Sequence, residues 1–196
     1  LNAAKIWQEL AVSALLSDAA VWADGAAFFG TSRKYGEHAV SNLSEAALSQ
    51  DSYKAARQAM MEYKSHSGKA LGVIPNLLIV GPKNEAAAFS IVKDSLAVAG
   101  VSGRAGSTDN PWFGTADYIV LPELSGDYED LWFLAASSGV LKPLVVQQRK
   151  QPLLTRLDSD NDENVFMRNE YIYGTEARGE AFLAFPHLIY KGGSAA

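Results

Sequence analysis

Residues 143–184 read PLVVQQRKQPLLTRLDSDNDENVFMRNEYIYGTEARGEAFLA. Residues 144–149 and 153–157 are strand-like, and 158–164 form a polar, acidic loop. Residues 165–173, rich in aromatic and branched side chains, read as a second strand-like run. The stretch pairs no nucleophile with a base and carries neither a phosphate loop nor a metal cluster. It predicts a long hairpin with an exposed, charged tip. A hairpin of that length needs other surfaces on which to lay its faces, from the rest of the chain or from neighbouring copies.

Outward from the hairpin, residues 187–190 predict one closing strand and 191–196 a polar tail. Upstream, 131–135 and 118–121 predict strands separated by the turn Ser125-Gly126-Asp127, and 100–110 is Gly/Ser-rich. Residues 85–97 predict a helix with Ala88, Phe89, Val92 and Leu96 inward. Residues 76–80 predict a buried strand before Gly81-Pro82. In 43–66, Tyr53, Ala56, Met60 and Tyr63 keep the helical period, with Ser44 or Ser49 as cap. Residues 26–42 predict a structured surface loop. They hold Phe28, Phe29, Arg33, Lys34 and His38, but are too short and too mixed in charge for a nucleic-acid loop. Residues 2–23 predict one amphipathic helix, capped by Asn2 and stopped by Asp24-Gly25, packed on the hairpin strands. Helices come mostly first and antiparallel strands later, so the fold class is α+β.

The chain has 196 residues, enough for one domain or two small ones. A net charge of −5 argues against a nucleic-acid glove, and the absence of cysteine rules out disulfides and thiolate metal sites. No apolar run approaches the roughly 20 residues that span a bilayer, and the first residues show no basic-then-apolar pattern. The chain begins at Leu1 rather than Met, which predicts a fragment or a processed product.

Candidate chemistry is sparse. Gly81-Pro82-Lys83 lacks phosphate-loop spacing, and Pro82 removes a backbone donor. Histidines stand at 38, 66 and 187, without the Gly-x-Ser-x-Gly elbow of a hydrolase. His66, between Ser65 and Ser67, suits a helix end. Asp158-x-Asp160-x-Asp162 matches the first half of a calcium loop. The second half fails, because Glu163 replaces the turn glycine, Asn169 stands where the closing Glu belongs, and Glu170 comes one place late. Arg149, Lys150, Arg156 and Arg168 flank the acidic tip, an arrangement that suits a solvated surface or symmetric contacts between copies. No catalytic, cofactor-binding or metal-binding residue is expected.

Five segments carry a family resemblance. They are LSQDSYKAARQAMMEYKSHSGKALGVIPNLLIVGP (48–82), DNPWFGTADYIVLPEL (109–124), WFLAAS (132–137), KPLVVQQRKQP (142–152) and NVFMRNEYIYGTEARGEAFLAFPHLIYK (164–191). In order and spacing the chain resembles the major head subunits of Mu-like phages and prophages. The resemblance implies a Hong Kong 97 phage-type capsid fold. Its peripheral domain, residues 1–42 and 143–178, would hold a spine helix and the long hairpin. Its axial domain, 43–142 and 179–196, would hold a central sheet and helices. The family's N-terminal arm and extended loop, which lie before the spine helix, are not in this sequence, so a truncated form is expected, monomeric or a small oligomer in solution. The implied role is a non-enzymatic capsid protein, found in the virion and, during assembly, in the host cytoplasm. It would assemble with its own copies as pentamers and hexamers, and with scaffold, protease and portal, around double-stranded DNA. An encapsulin-like compartment and a small hydrolase are the alternatives.

Overall fold

The computed structural model describes residues 5–17, 19–97, 108–159 and 161–195. In chain order these form α1 (Lys5–Leu16), β1 (Arg33–Tyr35), β2 (His38–Val40), α2 (Gln50–Glu62), β3 (Leu77–Val80), α3 (Glu85–Val92) and β4 (Leu96–Ala97). They continue with β5 (Thr108–Asp109), β6 (Asp117–Val120), β7 (Trp132–Ala135), β8 (Leu144–Leu157), α4 (Glu163–Arg168), β9 (Ile172–Leu183) and β10 (Ile189–Gly192). The chain divides into two compact units, Leu1–Ser17 with Leu144–Phe182, and Asp18–Pro143 with Leu183–Ala196. These divisions fall at 17/18 and 182/183, where the sequence suggested 42/43 and 178/179. Residues 19–42 sit in the second unit because buried Asn42 ties them there. Its amide donates to Phe28 O and Pro186 O, both at 3.1 Å, and accepts from Gly30 N at 2.9 Å.

The second unit is a mixed α/β structure around a four-stranded sheet of order β10-β7-β3-β6. β7 runs antiparallel to β3 and β10, with Phe133 opposite both Ile79 and Lys191. β3 and β6 run parallel, in contrast to the expected antiparallel arrangement, because α3 carries the chain between them. The continuous apolar run Trp132-Phe133-Leu134-Ala135 is buried along its whole length, as a central strand requires. The edge strand β6 alternates exposed and half-buried residues. Trp132, Leu134, Leu78 and Val80 pack with Tyr53, Ala56 and Met60 of α2 and with Ala88, Ile91 and Val92 of α3. Gly192 lets the Trp132 ring lie flat on β10, since a Cβ there would stand 2.1 Å from Cε2.

Both helices of this unit are shorter than expected, and their ends explain why. α2 starts at a capping box in which Ser49 Oγ accepts from Ser52 N at 3.1 Å and Ser52 Oγ accepts from Ser49 N at 2.8 Å. It ends where Tyr63 turns extended. α3 stops at Val92 because the Asn110 amide donates to Ser90 O, Ile91 O and Asp94 O, satisfying carbonyls that a longer helix would have used. Leu96 then enters β4, and both Phe89 and Leu96, expected inward, are exposed. The expected surface loop at 26–42 is instead a short antiparallel hairpin, β1 with β2, that buries Phe28 and Val40.

In the first unit α1 ends at Leu16 rather than at residue 23, and Asn2 lies outside the described residues. The strand of residues 144–157 is continuous through Pro152, and its partner is β9. Gly179 lies beside Gln147 O, and Lys150 Nζ pairs with Glu176, so the two strands run antiparallel. Residues 165–168, expected as strand, are helical. Asp162 precedes α4, Arg168 occupies its last turn, and Asn169 closes it in the left-handed conformation at φ 54°, ψ 38°. Among the described residues no helix is long and apolar enough to cross a membrane.

Candidate assembly surface

The hairpin of β8 and β9 has two faces, because side chains alternate along each strand. On one face Ala177, Gly179 and Ala181 form a seat of small side chains, and Trp7 of α1 lies over it. A Cβ at Gly179 would stand 2.2 Å from Trp7 Cζ3 and 2.7 Å from Gln147 O, so only glycine admits the ring this close. Val12 and Leu15 are the buried residues of this helix. A helix of 12 residues is about 18 Å long, whereas a strand of 14 residues is about 46 Å long. The helix therefore cannot cover the strand from end to end.

The uncovered part is apolar on both faces. Leu153 and Leu154, which point to opposite sides, are 60% and 66% exposed. Tyr171, Ile172 and Tyr173 are exposed as well, and on the tip helix α4 Phe166 is 81% and Met167 70% exposed. Large apolar side chains left in water on both faces and at the tip are what surfaces that meet a partner present. Charged groups border it. Lys150 and Arg178 both pair with Glu176, the latter at 3.2 Å, and Arg156 Nε lies 3.8 Å from Asp158. Arg149 shares a shallow groove with Arg178 and Glu180. Arg168 lines a recess at the tip with Leu157, Asp162 and Glu163.

The acidic tip is used to close the hairpin. Asp162 Oδ2 accepts from Ser159 N at 2.9 Å, and the Asn164 amide donates to Leu157 O at 3.0 Å and Glu170 O at 2.6 Å. Asp160 lies outside the described residues. Among the described residues no group of three His, Asp or Glu side chains could hold a metal ion. Glu163 begins α4, and Asn169 supplies its left-handed end.

The histidines sit in packing positions. His66 Nδ1 would be 2.7 Å from a Cβ at Gly36, and His38 Nε2 would be 3.3 Å from one at Gly68, so each ring fills the space over a glycine turn. The Ser65 and Ser67 hydroxyls flanking His66 lie 3.0 Å from each other. His187 stands in a 3₁₀ turn, its ring 5.7 Å from that of Phe185, and burial lowers its pKa. Burial also raises the pKa of Tyr63, whose hydroxyl donates to Ser41 O at 2.5 Å.

The tip helix is the part of this surface that sequence reasoning missed. Its signals were Asp162-Glu163 at the start and Arg168-Asn169 at the end, masked by the strand-favouring Val165 and Phe166.

Comparisons with known proteins place the chain. Residues 6–124 and 108–195 match the family model for the Mu-like prophage major head subunit gpT. The Mu-like prophage FluMu major head subunit of Haemophilus influenzae is 37% identical over 61 residues, 30% of this chain and 20% of that protein. Among solved structures, a phage-related protein from Bordetella bronchiseptica RB50 aligns at TM-score 0.43 and 14% identity, over 74% of this chain and 48% of that one. A chain of the procapsid of bacteriophage JBD30 aligns at TM-score 0.28 and 22% identity, over 74% and 38%. The aligned stretches span a fifth of the curated relative and under half of each solved chain, and TM-scores this low carry no structural argument. The assignment rests on the family model, which covers nearly every residue: the chain belongs to the Mu-like prophage major head subunit gpT family.

Proposed function

We propose that this chain is a structural building block of a phage head, which associates with its own copies into an icosahedral shell around double-stranded DNA. The carrying observation is the hairpin exposed on both faces and at its tip, with Leu153, Leu154, Phe166 and Met167 in solvent. Two neighbouring copies could cover what one helix cannot. Each contact can be weak, because a closed lattice repeats it many times. In a Hong Kong 97-type arrangement the first compact unit would serve as the peripheral domain and the second as the axial domain. The role is structural rather than catalytic. Copies would group as pentamers and hexamers and meet scaffold, protease and portal during assembly in the host cytoplasm, ending in the virion. A net charge of −5 suits a wall that encloses DNA without gripping its phosphates. The test is Phe166→Lys with Met167→Lys in the head subunit expressed alongside its assembly partners. Electron microscopy should show shells from the unsubstituted protein and none from the variant, while circular dichroism shows both folded. Shells from the folded variant in equal yield would defeat the reading.

A further inference from the structure

The chain passes between its two compact units three times, at 17/18, 143/144 and 182/183. Within the second unit, two hydrogen bonds tie together the segments next to these passages. Ala184 N donates to Pro143 O at 2.8 Å and joins the second passage to the third. Trp22 Nε1 donates to Ala184 O at 2.8 Å and brings in the first. The two peptide groups flanking the Ala184 α-carbon are thus used from opposite directions.

Trp22 is itself held in place. It belongs to a tight turn in which Val21 bridges Ala27, Trp22 N donates to Ala26 O at 3.0 Å and Gly25 N donates to Trp22 O at 2.9 Å. Gly25 supplies the positive φ of 78° that the turn needs, and Asp24 Oδ1 accepts from Ala26 N at 3.0 Å. Arg33 of β1 underlies the turn. Its Nε lies 3.3 Å from Asp24 Oδ2, its Nη2 donates to Ala27 O at 2.6 Å, and its guanidinium carbon is 5.2 Å from the centre of the Trp22 ring. The Arg33 side chain is only 5% exposed, so these contacts must be kept together or the buried charge loses its compensation. Arg33 thereby couples the hairpin of β1 and β2 to the turn that aims Trp22.

We propose that Trp22, Asp24, Arg33 and Ala184 form a latch that holds the three passages together, and that its opening releases the first passage while the sheet of the second unit stays folded. The Trp22–Ala184 bond is neutral and partly exposed and contributes modestly to stability, so this tie lies at the low-stability end of the unit and the buried strand β7 at the high end. The inference does not depend on the assembly reading.

Amide hydrogen exchange on Trp22→Phe tests it. The substitution keeps an aromatic ring beneath the guanidinium and removes the donor to Ala184 O. Exchange at Ala184 and at the amides of residues 20–28 should quicken roughly five- to tenfold, the factor that one ordinary hydrogen bond sets, while β7 amides keep their rate. Unchanged exchange at Ala184 and 20–28 would overturn the latch. So would uniform acceleration that includes β7, because that is loss of the fold. Arg33→Lys keeps the charge and removes the guanidinium fork, and it reads the same amides if Trp22→Phe does not fold. Acceleration in 20–28 supports the coupling, and acceleration confined to 33–40 refutes it.

Discussion

On β7 the residues Trp132, Phe133, Leu134 and Ala135 are all buried, whereas none of the fourteen residues of β8 is buried. Both strands are rich in apolar side chains, and the difference lies in what their surroundings supply. β7 has a strand on each side and helices over the core of its sheet. β8 has one partner strand and one short helix. A two-stranded hairpin is marginal in water without further cover. The second unit therefore carries its own stability, and the first carries surface left for others.

The sharpest way to break this comparison is Trp132→Ala. The ring is fully buried against Tyr190 and over Gly192, and its Nε1 donates to Ala46 O at 3.0 Å. Removing it should cost about 3–5 kcal/mol, read as a lowered urea midpoint for the second unit. A loss under about 1 kcal/mol would mean that the core sits elsewhere.

Gly179→Ala should have the next largest effect, in the first unit. The new methyl would meet both Trp7 and Gln147 O, and overpacking of this kind costs about 1–3 kcal/mol. The helix would lift from its seat, so proteolysis within residues 5–16 should quicken. Combining the change with Trp7→Ala separates the two clashes. The double variant should lose less than the sum of the single losses, and strict additivity would show that ring and glycine do not meet.

What was legible in the sequence follows the same division. Tyr53, Ala56 and Met60 as one buried face were readable because a 3.6-residue period is a local signal, and of the two caps the sequence offered, Ser44 and Ser49, the structure uses Ser49. A hairpin and its first strand were readable, but its second strand was expected at 165–173, whereas β9 runs over Ile172–Leu183. Helix ends were not, since α3 stops where the side chain of Asn110, eighteen positions beyond Val92, takes up its carbonyls. The parallel pairing of β3 with β6 leaves no trace in either strand's own pattern. Within the candidate surface, the apolar pair Leu153-Leu154 was visible as residues, but its exposure depends on the length of α1, which is set outside the hairpin. α4 was misread because Val165 and Phe166 favour strands, while the end signals Asp162 and Asn169 prevail once the tip closes.

The smallest effect, and the most telling for the comparison, is expected from Leu154→Thr. Threonine is β-branched and suits a strand at least as well as leucine, so a loss on substitution reports burial rather than backbone preference. With Leu154 66% exposed, little apolar area is withdrawn from water in the single chain, and the loss should stay within about 0.5 kcal/mol. Leu134→Thr on β7 gives the contrast, because there a fully buried isobutyl group is replaced by a smaller side chain that leaves a cavity and a buried hydroxyl opposite Leu78 and Tyr190. Thermal melts at two protein concentrations complete the test. If Leu154→Thr costs well over 1 kcal/mol and the cost grows with concentration, the hairpin is already covered by a second copy in solution, since only association makes stability depend on concentration. If the cost is large and independent of concentration, part of this chain covers Leu154, and the contrast between the two strands does not hold.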